Sequence, residues 1–120
     1  MNMNLREGIS GIYVLTFSGE CIFANKQRQV DNFLAEALEI LPKRLIVDLT
    51  SCSLLDSSGI GFLIAYHNKL KEKQPEARIA VVIGQSNYLI RKLINLGVFN
   101  RSGIEIFKSI SEAEFSLSKG

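Results

Sequence analysis

The chain has 120 residues, the length of one domain with a layered core that needs no disulfide or metal. Apolar residues make up 47% and charged residues 22%, and a net charge of +2 with scattered Lys and Arg gives no basis for binding nucleic acid or an anionic membrane. Two cysteines and one histidine are too few for a zinc site, and the opening MNMNLREGIS has no apolar signal segment, so a cytoplasmic address without a membrane span is expected, with Cys21 and Cys52 as small buried thiols.

Short apolar runs alternate with helix-period segments, without a linker, a low-complexity tract or a repeat, so one α/β domain over 1–120 is expected. A short strand is expected around Asn4 to Arg6. Ile12 to Phe17 (IYVLTF) is rich in β-branched and aromatic residues and ends at Ser18-Gly19, the pattern of a strand. Lys26 to Leu41 reads as a helix, with Val30, Phe33, Leu34, Ala37, Leu38 and Leu41 on one face and Pro42 at its end.

Leu45 to Leu49 (LIVDL) is nearly all apolar, as in a strand covered on both sides. Thr50 to Leu55 reads as a loop. Asp56-Ser57-Ser58-Gly59 then opens a helix over about Ser58 to Lys73, with Ile60, Leu63, Ile64, His67 and Leu70 on one side. Ile79 to Ile83 is another buried strand. Ser86 is placed to cap a helix carrying Leu89, Ile90, Leu93, Ile94 and Leu96, with Gly97 as its stop. Ile104 to Phe107 is a last strand. Ser109-Ile110-Ser111-Glu112 has the spacing of a capping box, which places a closing helix over Ile110 to Ser118. Repeated strand–helix–strand units require parallel neighbours with right-handed crossovers, while the N-terminal strand is free to pair antiparallel.

The segment Leu45 to Leu70 concentrates the chemistry. A helix N-terminus carries unpaired N–H groups and partial positive charge, and so stabilises an anion placed there. Asp56, Ser57 and Ser58 are all ordinary capping residues, and plain capping accounts for part of the pattern. Gly59 and Gly61 are costlier, at up to about 1 kcal/mol each relative to alanine, which points to close contact with another group.

The run LLDSSGIGFLIAYHNKL after LIVDLTSC resembles the signature of the STAS domain, the family of the anti-sigma factor antagonists. IYVLTFSGE, IAVVIGQSNYLIRKLINLGVF and the stretch from Ile104 to Ala113 resemble further parts of that family, so the likeness spans nearly the whole chain. It implies a mixed, mostly parallel sheet with helices packed mainly on one face. The resemblance also implies that Ser57, directly after Asp56, is the phosphoacceptor in a switch loop of Asp56, Ser57, Ser58, Gly59 and Gly61.

By the same resemblance, the unphosphorylated module binds an anti-sigma factor with GHKL-type serine kinase activity and so releases the sigma factor; the sequence does not fix the oligomeric state, for which a monomer is favoured. The kinase phosphorylates the module and lets it go, and a PP2C-type phosphatase resets it. No cofactor and no metal are implied, and the module is not an enzyme. Ser58 is a candidate helix cap, and Asp56 a candidate to orient Ser57 or to meet the kinase's nucleotide-metal site. After Gly19-Glu20 the family commonly has an apolar residue and then an aspartate. Here Cys21 and Ile22 stand there, which bears on the partner's identity more than on the fold.

Three rival readings fit less well. A serine hydrolase needs a base within about 3 Å of Ser57, whereas His67 lies ten residues along the same helix, about 15 Å away. A phospho-aspartate receiver centred on Asp48 needs an acidic cluster, and the first strand end offers only Glu20. A nucleotide site would need a Walker or GxGxxG pattern, which the sequence lacks. The alternative within the family is a STAS module in a non-sigma partner-switching pathway.

Overall fold

The computed structural model describes residues 1–83, 97 and 103–119. Eight main elements follow in chain order: β1 (Asn2–Glu7), β2 (Tyr13–Cys21), α1 (Gln27–Glu39), β3 (Arg44–Leu55), α2 (Ser57–Lys73), β4 (Arg78–Val82), β5 (Glu105–Phe107) and α3 (Ile110–Ser118). The helix expected from Ser86 to Leu96 lies outside the described residues.

The five strands form one sheet in the order β1-β2-β3-β4-β5. β1 and β2 pair antiparallel and the rest pair parallel. The steps β2 to β3 and β3 to β4 both move one place in the same direction. Right-handed crossovers therefore put α1 and α2 on the same face of the sheet. There Val30, Leu34 and Ala37 of α1 and Ile60, Leu63, Tyr66 and Leu70 of α2 share a core with Leu15, Phe17, Leu45, Val47, Ile79 and Val81. The alternate residues Val14, Ile46, Ala80 and Val82 point the other way and are covered by Ala113 and Leu117 of α3. Among the described residues, two helices thus cover one face and α3 the other. The sequence pattern had left that choice open.

Ser109 caps α3 as its spacing predicts, while the Glu112 side chain reaches one residue past the cap. Ser109 Oγ accepts the Glu112 N–H at 3.2 Å, and Glu112 Oε2 reaches back to the Lys108 N–H at 3.3 Å. The Arg78 guanidinium binds both Glu105 carboxylate oxygens, at 2.8 and 3.1 Å, and the Ser116 carbonyl at 3.2 Å, tying β4, β5 and α3 together.

Several boundaries differ from expectation: β2 runs past Phe17 to Cys21, α1 ends early and β3 ends late. α1 ends at Glu39, and Leu41 is exposed at φ +50 instead of extending the apolar face. Pro42 disfavours a right-handed helical conformation in the residue before it, so the helix closes early. β3 does not stop at Leu49 but runs through the expected loop to Leu55. The tail of β2 supplies its partners, with Ser18 beside Ser51, Gly19 beside Cys52, Glu20 beside Leu54 and Cys21 beside Leu55. Irregularities between Thr16 and Ser18 and between Gly19 and Glu20 break the regular alternation, and Gly19 at φ +82 takes a conformation that glycine adopts without penalty. β1 pairs only as far as Ser18, and β4 only as far as Asp48. The last residues of β2 and β3 therefore form a two-stranded ribbon beyond the rest of the sheet, and the ribbon carries the start of α2.

Candidate functional site: the start of the second helix

Asp56 is the N-cap of α2, with extended backbone at φ −89 and ψ 169. Its Oδ1 accepts from the Gly59 N–H at 3.2 Å and the Phe23 N–H at 3.0 Å, and its Oδ2 accepts from the Ala24 N–H at 3.1 Å. Its own N–H donates to the Cys21 carbonyl at 3.4 Å. One carboxylate thus joins the helix start to the short 3-10 helix Phe23–Asn25 that follows β2. Sequence spacing had offered Ser58 as the cap; the cap is Asp56, and Ser58 is the second helical residue, half-buried. Both Asp56 oxygens accept from backbone amides, two on Oδ1 and one on Oδ2, which fixes the carboxylate beside Ser57.

Ser57 is the first residue of α2 and is exposed. The helix has no acidic residue in its first turn and carries Lys71 and Lys73 in its last; the capping Asp56 carboxylate at one end and these lysines at the other complement the helix dipole.

The two glycines have separate roles. A Cβ on Gly59 would lie 2.7 Å from Leu55 Cδ1 and 2.9 Å from Phe23 Cδ1, both side chains fully buried. The close contact at Gly59 is therefore with the chain's own core, not with a partner or a phosphate. Gly61 is exposed, and a Cβ there would meet nothing within 4 Å. Nothing in the fold's own packing requires glycine at that position.

Opposite stability effects follow from this difference. Gly61→Ala is expected to stabilise the protein by up to about 1 kcal/mol through helix propensity. Gly59→Ala is expected to destabilise it, since overpacking costs about 1–3 kcal/mol against the same gain. Urea unfolding midpoints of the two variants check the signs.

Other residues weighed from the sequence take structural places. His67 is buried in α2, and burial lowers its pKa below the ordinary 6.5. Asp48 is 7% exposed, and its Oδ1 accepts from the Thr50 N–H at 2.9 Å and the Thr50 hydroxyl at 2.6 Å. Ile22 is half-buried, and Cys21 beside it is fully buried. Sequence reasoning did not single out Phe23 and Ala24, whose amides hold the cap. Asp56 and Phe23 are 33 positions apart, and no local spacing signals their contact. It also passed over Leu54, an apolar side chain 47% exposed on the ribbon beside the site. Among the described residues no group of three or more His, Cys, Asp or Glu is placed to hold a metal, and no helix is long and apolar enough to cross a membrane.

The STAS domain family matches residues 4–113. The chain belongs to the STAS domain family. Its fold is similar to that of an anti-sigma factor antagonist from Mycobacterium paratuberculosis, with a TM-score of 0.79 and 20% identity over 98% of this chain and 93% of the other. It is also similar to the anti-sigma factor antagonist SpoIIAA in its unphosphorylated form, with a TM-score of 0.69 and 17% identity over 99% of both chains. The phosphorylated form of the Bacillus cell fate determinant SpoIIAA gives a TM-score of 0.66 at 16% identity, over 96% of this chain and 98% of the other. No curated protein matches significantly.

Proposed function

We propose that this chain is an anti-sigma factor antagonist, a cytoplasmic binding module and not an enzyme, switched by phosphorylation of Ser57. The observation that carries the reading is the exposed Ser57 at the first position of α2, beside a cap whose carboxylate accepts from three backbone amides. The unphosphorylated surface docks an anti-sigma factor with GHKL-type serine kinase activity, and a PP2C-type phosphatase restores it after modification. Gly61 and Leu54, exposed near Ser57, offer a bare helix turn and an apolar contact to that partner.

A phosphoserine brings about −1.5 to −2 charge and three acceptor oxygens. At Ser57 this charge stands next to the Asp56 carboxylate. A partner that fits a neutral hydroxyl must then desolvate a dianion or meet it with its own acidic groups, and like-charge juxtaposition at an interface costs several kcal/mol. The helix N-terminus accommodates the anion within the folded module, so release needs no unfolding. The fold's likeness to SpoIIAA structures in both unphosphorylated and phosphorylated form supports such a module. Cys21 and Ile22, in place of the family's usual apolar residue and aspartate, leave the same switch open to a non-sigma partner pathway.

Incubation with ATP and a GHKL-type serine kinase that co-purifies with the protein is expected to add one phosphate. Fragmentation mass spectrometry should place it on Ser57, Ser57→Ala should take up none, and a PP2C-type phosphatase should remove it. Phosphate on Ser58 instead would refute the assignment.

A further inference from the structure

A second chemically capable group lies beneath the switch. The Sγ atoms of Cys21, at the end of β2, and Cys52, in the extended part of β3, are 3.0 Å apart, and both residues are buried free thiols. A disulfide requires about 2.05 Å, so the sulfurs need to close by about 1 Å, a distance that side-chain rotation covers. Backbone carbonyls orient both groups. Cys52 Sγ points to the Phe17 carbonyl at 3.4 Å, and Cys21 Sγ to the Gly19 carbonyl at 3.5 Å and the Ser18 carbonyl at 3.6 Å. The pair is tied to the switch through the backbone, since the Cys21 carbonyl accepts the Asp56 N–H at 3.4 Å.

We propose that Cys21 and Cys52 form a thiol–disulfide site whose oxidant is a hydroperoxide, and that the cross-link pins the ends of β2 and β3 beneath the Ser57 loop. Burial pushes both thiols up, while a hydrogen bond from Cys52 partly offsets the rise at Cys21; the same bond raises Cys52 further. The two sulfurs face each other, and either can attack first. One thiolate attacks the peroxide, an S–O bond forms as the O–O bond breaks, and the departing hydroxide leaves as water with the proton that this thiol had shed. The other thiol then attacks the sulfenic acid, the S–S bond forms as the S–O bond breaks, and its proton leaves with the hydroxide as a second water. Two thiols are oxidised by two electrons, and one hydrogen peroxide is reduced to two waters.

The test uses the reduced full chain and hydrogen peroxide, with alkylation under denaturing conditions as the readout. The two thiols are expected to disappear together, the mass to fall by two hydrogens, and one peptide pair linked through Cys21 and Cys52 to appear in a chain that is still monomeric. Dithiothreitol should restore both thiols. The rate should climb about tenfold per pH unit below the thiol pKa, following the thiolate fraction. Cys52→Ala and Cys21→Ala should each lose the cross-link, and a dimedone-reactive sulfenic acid should accumulate in whichever variant keeps the attacking sulfur. The oxidised protein should unfold at a higher temperature than the reduced one, because the link constrains the unfolded chain.

Two thiols still free after an exposure that oxidises the urea-unfolded chain would overturn the proposal, as would cross-links only between chains. An unchanged melting temperature would overturn the pinning of the strand ends. None of these readouts involves a kinase or a partner, so the outcome is independent of the phosphorylation reading.

Discussion

Asp56→Ala is expected to destabilise the protein by about 2–4 kcal/mol, the largest stability loss of any single change in the switch loop. The cap bond to Gly59 contributes about 1 kcal/mol by itself. The carboxylate also accepts from the Phe23 and Ala24 amides at 3.0 and 3.1 Å, and hydrogen bonds to a charged group are worth about 1.5–3 kcal/mol each. Ala24 is exposed, so water replaces part of that loss, whereas the fully buried Phe23 makes its amide the more expensive one to abandon. Small domains have only about 5–15 kcal/mol in total, so the variant should show a clearly lower urea midpoint. Asp56→Asn should recover only part of the loss, because its amide nitrogen would replace one carboxylate oxygen and set N–H groups against at least one of the three backbone donors. Backbone hydrogen exchange at Phe23, Ala24 and Gly59 should accelerate in both variants, more strongly in Asp56→Ala. An Asp56→Ala protein with wild-type stability would show that the clamp does not hold the loop.

The second large effect concerns binding and leaves the fold intact. Ser57→Asp is expected to weaken docking of the anti-sigma kinase by about a hundredfold, equivalent to about 3 kcal/mol, since each 1.4 kcal/mol is tenfold in affinity. The same substitution should change folding stability by less than about 1 kcal/mol, because a carboxylate at the first helical position is favourable for the dipole and Asp56 beside it is not. Ser57→Ala should bind with near wild-type affinity and resist release by ATP. Isothermal titration against the purified kinase, paired with urea unfolding of each variant, separates charge at the interface from damage to the module. A Ser57→Asp protein that binds as tightly as wild type would remove the electrostatic basis of release.

Much of the fold is legible in local sequence, and the exceptions have identifiable causes. The apolar run of Leu45 to Leu49 and the serine–glutamate spacing at Ser109 and Glu112 are short-range signals, and the structure follows both. The extension of β3 to Leu55 is different. Its burial alternates irregularly, with Cys52 and Leu55 buried and Ser51, Ser53 and Leu54 exposed, because bulges shift the pairing with β2. A strand whose alternation is broken by bulges looks like a loop when read alone.

The candidate site divides in the same way. The position of Ser57 at a helix start can be read from Asp56-Ser57-Ser58-Gly59 and from the family resemblance. The Asp56 clamp cannot, since its partners Phe23 and Ala24 come from a different element. Nor could spacing distinguish Gly59 from Gly61. Both are glycines in the opening turns of one helix, and only the packed side chains of Leu55 and Phe23 show that Gly59 is needed internally and Gly61 is not.

The most direct measurement is the affinity of one purified anti-sigma kinase for this protein before and after stoichiometric phosphorylation of Ser57, determined by titration at fixed salt. The expected result is tight binding of the unmodified form and a Kd raised a hundredfold or more by the phosphate, reversed on treatment with the phosphatase. Equal affinity of the two forms, with the phosphate confirmed on Ser57, would contradict the switch.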